Sequence, residues 1–171
     1  MANNNHLIDK YIDALLVEAA LRKNELNSET ITTVYLGGGT PSLLSITQLS
    51  KLVNGLKKVF DFSDLEEFTI EVNPDDVTAY YIQQAKSLGI NRVSMGVQSF
   101  NDEDLRFMNR RHTAKQATDA IHIIKEAGIN NISIDLIYGI PGQNIEIWKN
   151  NVDTAVSQSV QHISAYTLMY E

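Results

Sequence analysis

One short pattern recurs along this chain and restricts its fold more than any other feature. Gly89–Ile90–Asn91–Arg92–Val93–Ser94–Met95 aligns with Gly128–Ile129–Asn130–Asn131–Ile132–Ser133–Ile134. Val160–Gln161–His162–Ile163–Ser164–Ala165 is a third copy without the leading glycine. A glycine that closes a helix and hands over to a β-branched run is how a helix feeds a buried parallel strand. Repetition of that unit predicts a parallel α/β sheet built from successive crossovers, with right-handed connections favouring a doubly wound sheet or part of a barrel. The regularity of the repeat favours the barrel fragment.

The rest of the chain fits this frame. After a lead-in at Asn3 to Asn5 that reads as frayed, Leu7, Ile8, Tyr11, Ile12, Leu15, Leu16 and Ala19 recur at helical spacing, so an amphipathic helix is expected from about Leu7 to Leu26. Ile31 to Leu36 reads as a strand. Ser45 with Gln48 forms a capping box for a helix whose apolar face is Leu49, Leu52, Val53, Leu56, Val59 and Phe60. Phe68 to Val72 reads as a strand and Val77 to Leu88 as a helix capped by Gly89. A short helix over Asn101 to Met108, a second capping box at Thr113 and Gln116, a helix from Ala114 to Ala127, and a helix marked by Ile145, Trp148, Val152 and Val156 complete the series. The expectation is five parallel strands in one domain covering residues 1–171.

Composition closes off several function classes. A formal net charge of −7 argues against a general nucleic-acid surface. No apolar run reaches membrane-spanning length, and the first residues lack a signal-peptide pattern. The chain has no cysteine, which removes disulfides and thiolate metal sites and is compatible with a cytoplasmic protein. The four histidines, His6, His112, His122 and His162, show no metal-ligand spacing.

In parallel α/β folds functional groups gather at the carboxyl ends of the strands. The first strand delivers Gly37, Gly38, Gly39 and Thr40, and Pro41 gives that loop a defined exit. Such an N–H-rich turn suits a carboxylate, a phosphate or the backbone-like part of a small ligand, or it is a tight connection and nothing more. The second strand delivers Glu71 and Asn73, the third Gln98 and Ser99, the fourth Asp135 and Tyr138, the fifth Tyr166 and Thr167. Glu71 and Asp135 stand in apolar strands, where a carboxylate is costly unless it is paired or meets a ligand. Arg110–Arg111–His112 reads either as an anion clamp over the strand ends or as an exposed basic turn, and Gly139–Ile140–Pro141–Gly142 as a second loop lining the site or turning the chain.

Leu36–Gly37–Gly38–Gly39–Thr40–Pro41, Glu71–Val72–Asn73–Pro74, Ser94–Met95–Gly96–Val97–Gln98–Ser99 and Asp135–Leu136–Ile137–Tyr138–Gly139–Ile140–Pro141–Gly142 follow one another in that order. Together they resemble the radical S-adenosylmethionine proteins of the oxygen-independent coproporphyrinogen III oxidase type. Val97–Gln98–Ser99–Phe100 and Ile163–Ser164–Ala165–Tyr166 look more like the oxidase-like branch that includes haem chaperones. The resemblance implies a partial (β/α) barrel and a [4Fe–4S] cluster that cleaves S-adenosylmethionine. It implies either oxidative decarboxylation of a porphyrinogen in haem biosynthesis or, as the alternative, haem binding and transfer without oxidase activity. By the same resemblance Gly37, Gly38, Gly39 and Thr40 hold the methionine part of S-adenosylmethionine and Glu71 a ribose. Gln98, Arg110 and Asp135 resemble contacts to a second cofactor molecule, and Met169 a further backbone contact. The family ligates its cluster through three cysteines in a loop upstream of the helix that begins near Leu7. With no cysteine here, the resemblance implies either an internal fragment that lacks the first strand, the cluster loop and everything after Glu171, so that the cluster belongs to the longer parent and the fragment is inactive, or, as the alternative, a natural relative without the cluster. A third alternative is an unrelated α/β protein whose glycine loop binds phosphate, although the Gly-Lys-Ser/Thr helix start is absent. Exposed fragment edges would favour self-association.

Overall fold

Alternation within the strands decides where the helices lie. The computed structural model describes the backbone of residues 2–27 and 29–169, and the side chains from His6 onward in those ranges. Five strands, β1 (Thr33–Leu36), β2 (Glu67–Val72), β3 (Arg92–Gln98), β4 (Asn131–Tyr138) and β5 (His162–Thr167), form one open parallel sheet in sequential order. Side chains alternate between the two faces of a strand, and paired residues in register share a face. On one face Phe68, Ile70, Val93, Met95, Ile132 and Ile134 are wholly buried. They pack beneath helices α2 (Ile46–Val59), α3 (Ala79–Ser87), α5 (Ala114–Glu126) and α6 (Ile145–Ser157), which contribute Leu49, Ile82, Ile121 and Ala155 to the same cluster; the short α4 (Asp102–Phe107) follows β3.

The opposite face is polar. Glu71 registers with Ser94, Ser94 with Ser133 and Ser133 with His162, a polar row across four strands. One level lower, Thr69 registers with Arg92 and Arg92 with Asn131. The strands are thus apolar on one face only. Each reads as an apolar run because every second residue is strongly apolar, yet the residues between them are hydroxyls, carboxylates and an arginine.

Helix α1 (Ala2–Arg22) rests on α2 instead of the sheet. Gly55 permits the approach, since a Cβ there would lie 2.5 Å from Leu16 Cδ2. The Gln48 amide donates to Asp9 Oδ1 at 2.9 Å across the same seam. α1 begins earlier than expected, taking in the residues read as a frayed lead-in, and ends in a 3-10 turn, Lys23–Leu26, closed by Asn27 at φ 49°. Both capping boxes form as expected, at Ser45/Gln48 and Thr113/Gln116. α3 starts after Thr78, because Val77 is spent closing the 3-10 turn Pro74–Asp76.

The recurring pattern extends into three dimensions. Gly89 (φ 104°) and Gly128 (φ 81°) take the left-handed position after their helices, and Ser159 (φ 50°) stands there in the copy without a glycine. At this end of the sheet each helix supplies a lysine to the last carbonyls of the next. Lys57 donates to Leu88 O at 2.7 Å, Lys86 to Ala127 O at 2.8 Å, and Lys125 to the carbonyls of Gln158 and Ser159. A cation at a helix carboxyl terminus satisfies orphan carbonyls and complements the dipole. Among the described residues no helix is long and apolar enough to cross a membrane.

Candidate functional site

The carboxyl ends of β1 and β2 are locked together by one carboxylate. Glu71 Oε1 accepts the Tyr35 hydroxyl at 2.8 Å, and Oε2 accepts the backbone N–H of Gly38 at 3.1 Å. Gly37 must lack a side chain, since a Cβ there would lie 2.6 Å from the Tyr35 ring and 3.0 Å from Glu71 Oε1. Gly38 sits at φ 102°, a conformation that L side chains rarely adopt. Gly39 has open space where a side chain would be. The N–H groups of Gly39 and Thr40 meet no acceptor among the described residues.

A second cluster forms at the end of β3. Between β3 and β4 the register slips after Met95, so that Gln98 falls opposite Leu136. Gln98 has φ 67°, and the Ser99 N–H closes back onto Val97 O at 2.8 Å, a three-residue turn. The Gln98 amide lies over Gly96, where a Cβ would sit 2.7 Å from its Nε2. Arg110 donates from Nη2 to Asn73 Oδ1 at 2.9 Å and to Gly96 O at 3.1 Å. Burial depresses the pKa of that guanidinium, which still stays charged.

Asp135 lies half-buried on the polar face, registered with Ser164. Burial raises its pKa, the Ser164 hydroxyl opposes that shift, and the Glu71 charge adds to it. The Tyr35 hydroxyl is likewise pushed up, by burial and then by its bond to Glu71, with Ser94 opposing. Gly37, Gly38, Glu71 and Asp135 therefore share one electrostatic neighbourhood, while Gln98 and Arg110 form a neighbouring cluster around Asn73. Met169 is apart from both, 82% exposed just beyond β5.

The Arg110–Arg111–His112 segment divides three ways. Arg110 reaches the strand ends; Arg111 is exposed and pairs with Asp75 at 2.7 Å. His112 is buried, with Nε2 2.9 Å from Val97 O. Its Nδ1 has no partner among the described residues. In the neutral ring, the Nε2–H donates to that carbonyl. Burial lowers the His112 pKa, against the Val97 contact, which raises it.

Sequence reading passed over Tyr35, Ser94 and Ser133 as site-facing groups. The strict alternation Arg92–Val93–Ser94–Met95 and Asn131–Ile132–Ser133–Ile134–Asp135 is the signal that marks them.

Chemically, Glu71 is oriented by two donors and keeps free lone pairs, so it can accept hydroxyls from a ligand. The adjoining free N–H groups can receive a carboxylate. This fits S-adenosylmethionine. The residues do not fit an iron–sulfur cluster: the chain has no cysteine, and among the described residues no group of three or more His, Asp or Glu could hold a metal ion.

Comparisons with known proteins identify the family and the fold. The family described as the radical SAM superfamily matches residues 5–155. The haem chaperone HemW of Lactococcus lactis is 40% identical over 164 residues, 96% of this chain and 42% of that protein. The Bacillus subtilis HemW is 38% identical over 96% of this chain and 44% of its own length. Coproporphyrinogen III oxidase (HemN) of Escherichia coli superposes with a TM-score of 0.88 at 30% identity, over 98% of this chain and 38% of the oxidase. The chain thus spans less than half the length of these relatives.

Proposed function

This chain belongs to the radical SAM superfamily, and from that premise we propose that it forms the S-adenosylmethionine-binding sheet of a haem-binding and haem-transferring protein. The observation that carries the reading is the clasp of Glu71 by Tyr35 and Gly38 beside unpaired N–H groups of the glycine loop. Gly39 and Thr40 would receive the methionyl carboxylate, and Glu71 would accept the ribose hydroxyls. Bound with a cluster, S-adenosylmethionine supplies radical chemistry. This chain's own residues bind and orient the cofactor, and no step through the cluster is assigned to them.

Identity of 40% and 38% to two HemW haem chaperones, against 30% to the oxidase, supports transfer of haem ahead of decarboxylation. The arginines support it too. A porphyrinogen with four carboxylates needs free cations. Arg111 is engaged by Asp75, Arg92 faces Glu67 at 3.6 Å and Arg106 faces Glu103 at 4.0 Å, which leaves Arg110, bonded to the neutral Asn73 amide, as the one of these four without a carboxylate partner among the described residues. The oxidase reading is favoured by one feature, the clustering of Gln98 and Arg110 at the rim.

Two experiments test this. Calorimetric titration of this chain with S-adenosylmethionine should give weak binding, on the order of 0.1 mM or poorer. No binding at millimolar cofactor would refute the assignment of the clasp. Full-length protein with its cluster reconstituted should bind haem and leave coproporphyrinogen III unchanged; turnover would restore the oxidase reading. The open edge of β1, beside a cavity of about 660 Å³ lined by Tyr11, Leu15, Tyr35 and Leu56, supports self-association of the isolated chain. Sedimentation as a monomer at high concentration would contradict that.

A further inference from the structure

We propose that Ser99, Asp104 and Asn151 are positioning residues, a buried polar clamp that holds Gln98 in a strained backbone turn and thereby aims its amide over Gly96. The proposal rests in part on the cofactor reading above, extended by the family resemblance that makes Gln98 a contact to a second cofactor molecule.

The strain is visible in the backbone. Gln98 lies in the left-handed region at φ 67°, inside a turn closed by Ser99 N–H onto Val97 O. This form of three-residue turn is rare for a side chain other than glycine, and persists only where the surroundings over-determine it. The sequence explains the turn in no local way, because no glycine, asparagine or aspartate occupies position 98.

The over-determination begins at the next residue. Ser99, Asn151 and Asp104 are 0%, 2% and 5% exposed. The Ser99 hydroxyl donates to Asp104 Oδ2 at 2.7 Å, and its oxygen accepts the Asn101 N–H and the Asn151 side-chain amide, each at 3.0 Å. Asn151 Oδ1, from the middle of α6, accepts the Phe100 N–H at 2.7 Å. Gln143 donates to the same Asp104 oxygen at 2.8 Å while its Oε1 accepts the Gly139 N–H at 3.0 Å. The clamp thus fastens the loops leaving β3 and β4 to a helix that starts after both. A buried carboxylate without a cation partner among the described residues is expensive, and here its donors are hydroxyl and amide groups that the loops must bring to it. Released from the clamp, residues 98–101 would relax toward an ordinary strand exit and carry the Gln98 amide away from Gly96, Arg110 and Asn73.

A double-mutant cycle tests this by urea unfolding of Gln98→Gly, Asn151→Ala and the double variant. Glycine tolerates the left-handed region, so Gln98→Gly alone should shift the folding equilibrium toward the native state by about threefold to fivefold. In the Asn151→Ala background that gain should vanish, although no hydrogen bond joins the side chains of residues 98 and 151. Equal gains in both backgrounds, or no gain in either, would overturn the proposal. If Asn151→Ala does not fold, Ser99→Ala provides the same cycle with a smaller perturbation. S-adenosylmethionine titration supplies the second readout: Ser99→Ala should weaken affinity severalfold, and Gln98→Gly should add nothing further in that background. Unchanged affinity in Ser99→Ala would remove the positioning role. Should the wild type bind no cofactor at all, the cofactor reading falls, and the unfolding cycle alone decides whether the clamp strains Gln98.

Discussion

The two faces of the sheet obey opposite rules although they alternate residue by residue along the same strands. On the helix-covered face Phe68, Ile70, Met95 and Ile134 are sealed from water, and shape is what matters there. On the other face Glu71, Ser94, Ser133 and His162 lie in register, with Asp135 one level higher beside Ser164, and directional bonds such as Ser133 Oγ to His162 Nδ1 at 2.9 Å join them. Small serines occupy the centre of that face and larger charged groups its margins. A face meant to be a packed core carries bulky branched side chains, as barrel interiors filled by protein do. Here the groups are small and polar instead, and Thr69, Ser94 and Ser133 are themselves buried. One face holds the fold, and on the function proposed above the other serves the cofactor.

Substitutions across that divide should separate stability from binding. The largest effect belongs to the sealed face: Phe68→Ala should cost about 3–5 kcal/mol in urea unfolding, from lost transfer energy and the cavity left behind. Ser133→Ala, on the same sheet but the other face, should cost only about 1 kcal/mol, because it removes little volume and one hydrogen bond from a buried serine to the exposed His162 ring. Comparable costs at the two positions would show that both faces of the sheet serve as core.

Next in size is an effect on binding alone. Glu71→Gln keeps an acceptor for Gly38 but loses charge and lone pairs, and should weaken S-adenosylmethionine about tenfold, roughly 1.4 kcal/mol. The unfolding midpoint should barely move. Gly38→Val should reduce both, because φ 102° strains any L side chain even though no neighbour would collide with the added Cβ. Calorimetry paired with urea unfolding reads both outcomes, and a stability loss in Glu71→Gln as large as its binding loss would show the clasp to be structural.

The smallest effect is a difference in pH response. Burial lowers the His112 pKa in the folded state, so between that value and the unfolded value near 6.5 the unfolded chain binds more protons. Stability contributed by neutral His112 is complete above that unfolded value and declines as pH falls through it. Asp135 acts in the opposite sense: its folded pKa is raised above 3.8, so its contribution favours the fold at low pH and fades as pH rises through that window. Stability measured from pH 7 to 5 should therefore fall in the wild type and fall less in His112→Gln, which can still donate to Val97 O. An unchanged slope in the variant would place the acid sensitivity elsewhere.

Much of this was legible in the sequence. Ser45/Gln48 and Thr113/Gln116, the glycines at 89 and 128, and the spacing of apolar residues each act within a few positions, so the order of elements and the sequential parallel sheet follow from them. That Gly37, Glu71, Gln98 and Asp135 would come to one end of the sheet follows in turn from their places at the ends of parallel strands. Even the polar face was written there as strict alternation, hidden by how apolar the intervening residues are.

What the tertiary structure alone decided is which groups hold one another. Glu71 meets the Gly38 N–H from 33 residues away, Asn151 reaches Phe100 from 51, and Lys86 finds the Ala127 carbonyl from 41. His112, one step beyond an exposed arginine, is buried because a loop folds it beneath Val97 O. Local propensities act through backbone sterics and neighbouring bonds, and those are properties of the chain itself. Hydrogen bonds across such separations exist only after the core has closed and removed the water that would otherwise compete for them.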